Sequence, residues 1–362
     1  MNAYKTRRYA NEVRVGNVFM GGTHPISVQS MTNADPLDYT AVRSQIEQLR
    51  TAGCDIVRLA LPTLRAVETA ERLKKDGISV PLVADIHFDY KIALAAVRAG
   101  VDKIRINPGN IGDKERVRAV ANACRTAGIP IRIGVNSGSV EKQILEKYGA
   151  PTPEALAESA LYHAEMLEAC AFKDIVISVK ASSVPDMIAA NRILAKETDY
   201  PLHLGVTEAG SAAMGSIKSA VGIGALLSEG IGDTVRVSLT ADPVLEVEAA
   251  RKILCALSLR KEMDIVSCPT CGRTKIDLIP LLAQFESEID RYGLRTMPIK
   301  VAFMGCVVNG PGEAREADIG VAGGVGEGVI FRHGVMGEHV SASEIVPTLI
   351  REIQKMKDND NV

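Results

Sequence analysis

Three cysteines in this 362-residue chain have the spacing and surroundings of metal ligands. Cys268 and Cys271 form the CxxC of "SCPTCGR", and Cys306 lies in "FMGCVVNGPGEA", with Glu313 seven residues further on. All three sit among Gly, Pro and Asn, where a backbone turns sharply around a bound object. Iron–sulfur clusters and structural zinc normally take four ligands, so one is missing from the cysteine count. A zinc ribbon needs a second CxxC or a histidine pair, and His333 and His339 lack that spacing. A thioredoxin-type dithiol has no use for Cys306. Three thiolates in glycine-rich turns suit an iron–sulfur cluster, although spacing alone leaves zinc and an unrelated role open. Glu313 is the nearest carboxylate for the fourth position and Asn309 a poorer donor; a plain surface carboxylate is an equally compatible reading of Glu313. An oxygen ligand would matter, because a fully thiolate cluster is coordinatively closed whereas a weaker ligand leaves one iron exchangeable. The other cysteines, Cys54, Cys124, Cys170 and Cys255, stand alone in apolar surroundings and read as small hydrophobes.

A second group of chemically capable residues recurs at the ends of apolar runs. It comprises Arg58; Asp85 and His87; Arg105 and Asn107; Arg132 and Asn136; Lys180; Glu208; and Arg236 and Ser238. Members of one run are two or four residues apart, so in a strand they share a face. Five of these side chains are basic and only Asp85 and Glu208 are acidic. Burying such an excess is costly without an anion to balance it, and guanidinium groups suit bidentate phosphate recognition. The expected ligand is a compact organic diphosphate, with Asp85, His87 and Glu208 able to move protons or hold hydroxyls.

The elements that would position these residues follow from periodicity. Strand patterns at 26–32, 55–62, 81–87, 103–109, 130–138, 174–182, 201–210 and 234–240 alternate with helical patterns, several ending in glycine. Eight strand–helix repeats predict an α/β fold with a closed (β/α)₈ TIM barrel, whose active site lies at the C-terminal ends of its strands. No GxGxxG or GxxxxGK[ST] follows any of these strands, which argues against a dinucleotide or P-loop fold. Residues 241–260 read as a closing helix with Leu245, Ala249, Ile253 and Ala256 on one face. The expected division is a barrel over 1–260 and a small α+β domain over 261–362. That second domain carries the cysteines, a helix at "IDLIPLLAQFESEIDRYG", a strand at "PIKVAFMGCVVNGPGEA", short strands around "ADIGVAGG" and "GVIFRHG", and a terminal helix.

Composition bounds the function. A net charge of −2 argues against a general nucleic-acid surface, and no apolar run is long enough to span a membrane. An odd number of cysteines, seven, in a chain of this length suits a reducing compartment, so a cytoplasmic protein is expected.

With these motifs assembled, the chain resembles the bacterial 4-hydroxy-3-methylbut-2-enyl diphosphate synthases of the methylerythritol phosphate route to isoprenoids. The likeness runs through "VQSMTNADPLD", "ADIHFDYKIAL", "RINPGN", "RIGVNSGS", "VKAS", "GVTEAG", "VRVSLTADP", "SCPTCGRT" and "GCVVNGPGEA". The resemblance implies a barrel joined to a domain similar to the cluster-binding part of sulfite and nitrite reductases. It implies a 4Fe-4S cluster held by Cys268, Cys271, Cys306 and Glu313. It implies a homodimer with the active site between subunits, and flavodoxin or ferredoxin as electron donor. Carried over by position, Arg58, Arg105, Arg132, Lys180, Arg236 and Ser238 hold the substrate's diphosphate, with Asn107 and Asn136 nearby. Asp85, His87 and Glu208 face its ring or hydroxyls, and Glu208 is the candidate acid for the departing hydroxyl of a cyclic diphosphate opened by two electrons.

Overall fold

A computed structural model describes residues 6–306 and 314–360, and the chain falls into two compact units, Met1–Leu259 and Arg260–Val362. The first opens with a hairpin, β1 (Val13–Val15) and β2 (Val18–Met20). Eight strands then alternate with helices: β3 (Ser27–Met31), β4 (Ile56–Ala60), β5 (Leu82–Asp85), β6 (Lys103–Ile106), β7 (Ile131–Asn136), β8 (Ile175–Lys180), β9 (His203–Leu204) and β10 (Thr234–Val235). All pair in parallel, β10 joins β9 to β3, and a bridge between Ile177 and Leu202 closes the ring. The expected TIM barrel is therefore present. Its helices are α1 (Tyr39–Thr51), α2 (Leu64–Lys75), α3 (Tyr90–Arg98), α4 (Pro108–Ile111), α5 (Lys114–Ala127), α6 (Lys142–Tyr148), α7 (Pro153–Glu168), α8 (Val184–Glu197), α9 (Ala212–Ser228) and α10 (Pro243–Ala256).

Local sequence sets where these helices begin. Asp38, Thr63, Asp89, Asp113, Thr152, Ser183 and Asp242 each accept a hydrogen bond from a backbone N–H in the first turn that follows. Each such cap is worth about 1 kcal/mol and fixes where a strand-to-helix loop stops. Gly128 ends α5 at φ 66°, a left-handed conformation that suits glycine.

Three features depart from the sequence expectation. Strands β9 and β10 are two residues long rather than the seven to ten that the apolar pattern predicts. Just past β9, a Cβ on Gly205 would lie 2.4 Å from the Arg236 carbonyl oxygen and 2.7 Å from Lys180 Nζ, so a glycine there makes room for Lys180. The closing helix is α10, but its buried face is Glu246, Val247, Ala250, Ile253 and Leu254, so of the expected stripe Ile253 is buried while Leu245 is 40% exposed. The expected stripe Leu245–Ala249–Ile253–Ala256 instead lines a surface groove against α9. The hairpin was not expected at all. Its Val13, Val15 and Met20 pack on Ile56, Val83 and Val176, near the N-terminal ends of β4, β5 and β8, and plug the barrel floor.

The second unit is one five-stranded sheet, β11 (Asp264–Ser267), β12 (Lys300–Met304), β13 (Ile319–Gly323), β14 (Glu327–Arg332) and β15 (Val335–Ser341), in that spatial order. Strands β11 to β13 are parallel, and β14 and β15 return antiparallel. Helices α11 (Leu278–Arg291) and α12 (Ile345–Asp360) supply its core, where Phe285 meets Phe303 at 5.0 Å between ring centroids and Leu349 and Ile353 are fully buried. Strands β11 and β15 are too short or too exposed to show in the apolar pattern. Among the described residues, no helix is long and apolar enough to cross a membrane.

The hairpin's role can be measured. Met20→Ala removes a fully buried side chain from the barrel floor and should destabilise this unit by about 2–5 kcal/mol, read as a lower urea midpoint. An unchanged midpoint would show that the plug is dispensable.

Candidate functional site

Parallel pairing decides which side chains meet inside the barrel, because directly paired residues point to the same side. Arg105 pairs with Arg132, Asp85 with Arg105, Asn136 with Lys180 and Met31 with Arg58. The result is a cavity of about 150 Å³ at the C-terminal ends of the strands. Arg58, Arg105, Arg132, Lys180 and Arg236 line it with Asp85, His87, Asn136 and Ser238, so nine of the residues expected from sequence converge.

Asp85 is the common anchor. Its carboxylate lies 3.0 Å from Arg105, 3.7 Å from Arg58 and 3.5 Å from His87. Burial by itself would raise the Asp85 carboxyl, but Arg58, the His87 hydrogen bond and Arg105 hold it well below the usual carboxylate range. Arg105 also donates to the Gly134 carbonyl, and Arg132 donates to Ser178 Oγ at 3.3 Å. Burial, opposed by Asp85 and assisted by Arg236, brings Arg58 down to about 9, still cationic at neutral pH. Burial, then Arg236 and Arg132, pulls Lys180 well below the usual amine range, and among the described residues no carboxylate pairs with it. Among the described residues, the buried Nε atoms of Arg105 and Arg132 have no partner.

Glycine makes this crowding of cations possible. A Cβ on Gly134 would stand 2.3 Å from Arg105 Nε, so only a glycine at this point of β7 lets Arg105 lie across the strand to Asp85.

The second carboxylate is not the expected one. Glu246 of α10, 4% exposed, accepts from Ser30 Oγ at 2.9 Å and from the Leu239 N–H at 3.0 Å, and lies 3.4 Å from Arg236. Ser178 and Thr207 also line the cavity and were missed; Ser178 continues the inward alternation that ends in Lys180. Two expected residues are placed elsewhere. Asn107 caps α4, accepting from Gly109 N at 3.1 Å, and its amide nitrogen lies 3.5 Å from the Ser139 carbonyl, tying the β6 and β7 loops together. Glu208 is exposed in the loop after β9 with φ 53°, a strained conformation for a residue with a side chain.

A larger groove of about 1040 Å³ runs along α6 and α7. Glu141, Glu154, Glu158 and Glu165 outnumber Lys142 and Lys147 there, so it does not suit an anion.

In the second unit, parallel pairing of β11 with β12 brings the CxxC and Cys306 to the same end of the sheet. The Gly305 N–H donates to Cys268 Sγ at 3.1 Å, and Lys275 N donates to the Gly305 carbonyl at 2.8 Å. Gly305 packs closely on Thr274, where a Cβ would come within 2.8 Å. The exposed Cys271 thiol is lowered from its ordinary value, chiefly by hydrogen bonding to the Arg273 backbone and side chain. Thiols with backbone N–H donors aimed at sulfur fit an iron–sulfur group. Among the described residues no three His, Cys, Asp or Glu are gathered as a metal site. Glu313 lies outside the described residues.

Comparison with known proteins follows this division. The GcpE TIM-barrel domain model matches residues 10–251 and the GcpE protein C-terminal domain model matches residues 264–355. The chain is 54% identical over 353 residues to a 4-hydroxy-3-methylbut-2-en-1-yl diphosphate synthase (flavodoxin) of Caldanaerobacter subterraneus subsp. tengcongensis, covering 97% of this chain and 98% of that one. It is 55% identical to the enzyme of the same name from Ruminiclostridium cellulolyticum, covering 97% and 98%. Among solved structures, dihydropteroate synthase from Thermus thermophilus covers 69% of this chain and 98% of its own at 14% identity and a TM-score of 0.50, a likeness of barrel fold alone.

The crowding at β7 gives a direct test of the cavity. Gly134→Ala should push Arg105 off Asp85 and weaken binding of inorganic pyrophosphate about tenfold, ~1.4 kcal/mol, with the circular dichroism spectrum unchanged. Equal affinity by calorimetry would exclude Arg105 from anion binding.

Proposed function

The chain belongs to the GcpE family, and from that premise we infer that it opens 2-C-methyl-D-erythritol 2,4-cyclodiphosphate reductively to (E)-4-hydroxy-3-methylbut-2-enyl diphosphate in non-mevalonate isoprenoid synthesis. It is an oxidoreductase and an iron–sulfur protein. The observation that carries this reading is the cationic cavity, where five basic side chains face Asp85 and Glu246. That surplus matches a small ligand with two phosphoryl groups.

Arg58, Arg105, Arg132, Lys180, Arg236 and Ser238 would hold the diphosphate, with Asn136 beside them and Asn107 setting the neighbouring loop. Asp85 keeps Arg58 and Arg105 extended toward the ligand, and His87, hydrogen-bonded to Asp85, is placed to contact ring or hydroxyl oxygens. Glu208 is the candidate acid for the hydroxyl lost as water, and its left-handed backbone suits a side chain held in place for function.

A 4Fe-4S cluster, held by Cys268, Cys271 and Cys306 with Glu313 as an exchangeable fourth ligand, would supply the two electrons one at a time. These ligands fall in the unit that follows residue 260, which we take as the cluster domain. The relatives' names specify flavodoxin, so a flavodoxin is the expected donor, and ferredoxin is the alternative. The working form on this reading is a homodimer with the active site between subunits.

The test is anaerobic turnover of the cyclodiphosphate by cluster-loaded protein with dithionite and a viologen mediator. Product should form, and its absence would overturn the assignment. Glu313→Cys should keep the cluster's visible spectrum and lose most of the turnover; normal turnover would remove Glu313 from the mechanism.

A further inference from the structure

Barrel interiors of this kind are normally filled by layers of bulky branched side chains. Below the mouth of this one the filling is polar. Gln29, His203 and Lys103 are 1%, 0% and 0% exposed, and Ser27 and Thr234 are buried beside them. Register places all five inside: Ser27 pairs with Thr234, Thr234 with His203, Gln29 with Ile56 and Lys103 with Val83. Among the described residues, both amide atoms of Gln29, both ring nitrogens of His203 and the Ser27 hydroxyl have no partner. Buried polar groups left this way are ordinarily met by ordered water. Lys103 Nζ approaches the Met20 sulfur at 3.9 Å, on the hairpin that seals the floor.

We propose that Lys103 is a further anion-responsive residue of the diphosphate site, taking up a proton through enclosed water when a diphosphate binds the cations above it. This rests on the diphosphate reading of the cavity. Among the described residues no carboxylate pairs with Lys103 itself. Arg58 on β4, Arg132 on β7 and His203 on β9 surround it, with Arg105 on its own strand, Lys180 above on β8 and Arg236 just past the end of β10. Met20 on the hairpin, Gln29 on β3, Val83 on β5 and Val176 on β8 add no charge. Asp85, the carboxylate on these inner faces, is engaged by Arg58, Arg105 and His87. Burial, then Arg132 and Arg58, favours the neutral amine in the empty barrel. A polyanion placed against Arg58 and Arg132 reverses the sign of the local field. The amine then binds a proton drawn from solvent, and the complex gains one positive charge. Arginines hold their protons throughout, whereas Lys103, Lys180 above it and His203 beside it can each respond, so variants at Lys103 isolate its share.

Proton uptake on binding makes affinity fall as pH rises, about tenfold per pH unit for each proton taken up. The test is calorimetric titration of the full chain with 2-C-methyl-D-erythritol 2,4-cyclodiphosphate, without reductant, in PIPES and in Tris between about pH 7 and 8.5. Heats in the two buffers give the proton count. Wild type should take up protons, and Lys103→Met should take up about one fewer and show a shallower fall of affinity with pH. Lys103→Gln is the second variant should the methionine form fail to fold. Wild type that binds without proton uptake, or variants with the same count as wild type, would overturn the inference while leaving the diphosphate site intact. Wild type that does not bind the cyclodiphosphate would overturn the site reading, and this inference with it.

Discussion

The structure of the barrel turns on one electrostatic constraint, an excess of positive charge held where water cannot screen it. Arg105 and Arg132 are 7% and 1% exposed and are direct partners on neighbouring strands, with Arg58, Lys180 and Arg236 around them. Asp85 and Glu246 offset part of this and do so at opposite sides, Asp85 binding Arg58 and Arg105, and Glu246 binding Arg236. A closed ring of parallel strands is what makes the arrangement tolerable. Side chains set at fixed register cannot swing apart to relieve repulsion, so the strain persists until an anion arrives.

Much of the surrounding sequence reads as accommodation of that constraint. Gly134 and Gly205 remove the Cβ atoms that would strike Arg105 and Lys180. The hairpin supplies an apolar floor that keeps bulk water from the lower end, and the polar layer of Gln29, His203 and Lys103 lies between floor and mouth. A site built this way needs little rearrangement to receive a diphosphate, because its donors already face inward and have few competing partners.

The fold and most of the mouth were legible in the sequence because both depend on short-range rules. A strand's two-residue period announces that Asp85 and His87 share a face, and Asp, Ser or Thr before a helix announces where it starts. Lys103 obeyed the same alternation as Arg105, but a lysine at the start of an apolar run reads as a solvated strand end until the plug beneath it is known. Glu246 was illegible for another reason. Its partner Ser30 is 216 positions away, and nothing in the local pattern of α10 distinguishes a buried acid from a surface one. Asn107 and Glu208 sit one and four residues beyond the regular ends of β6 and β9, where alternation no longer governs direction, and there local hydrogen bonding and a left-handed turn took over. In the second unit β11 has only four residues, so the pairing that gathers the cysteines at one end came from tertiary structure.

On the proposed function, the same electrostatics bear on why a reductase would line a cavity so strongly with cations. Reduction adds electrons to a molecule that already carries two phosphoryl groups, and in a low-dielectric cavity each added charge would be repelled by those present. Basic side chains fixed around the substrate before the electrons arrive lower that barrier without moving, whereas water would have to reorient. On that reading, the surplus of basic side chains in the cavity is matched to the charge of the reacting complex. On this view, Asp85 and Glu246 are, among the described residues, the carboxylates that offset these cations, and a further buried carboxylate would weaken the field that the chemistry uses. Their placement at the margins, each committed to named arginines, leaves Lys180 and Arg132 as the cations whose charge is least compensated by the protein itself.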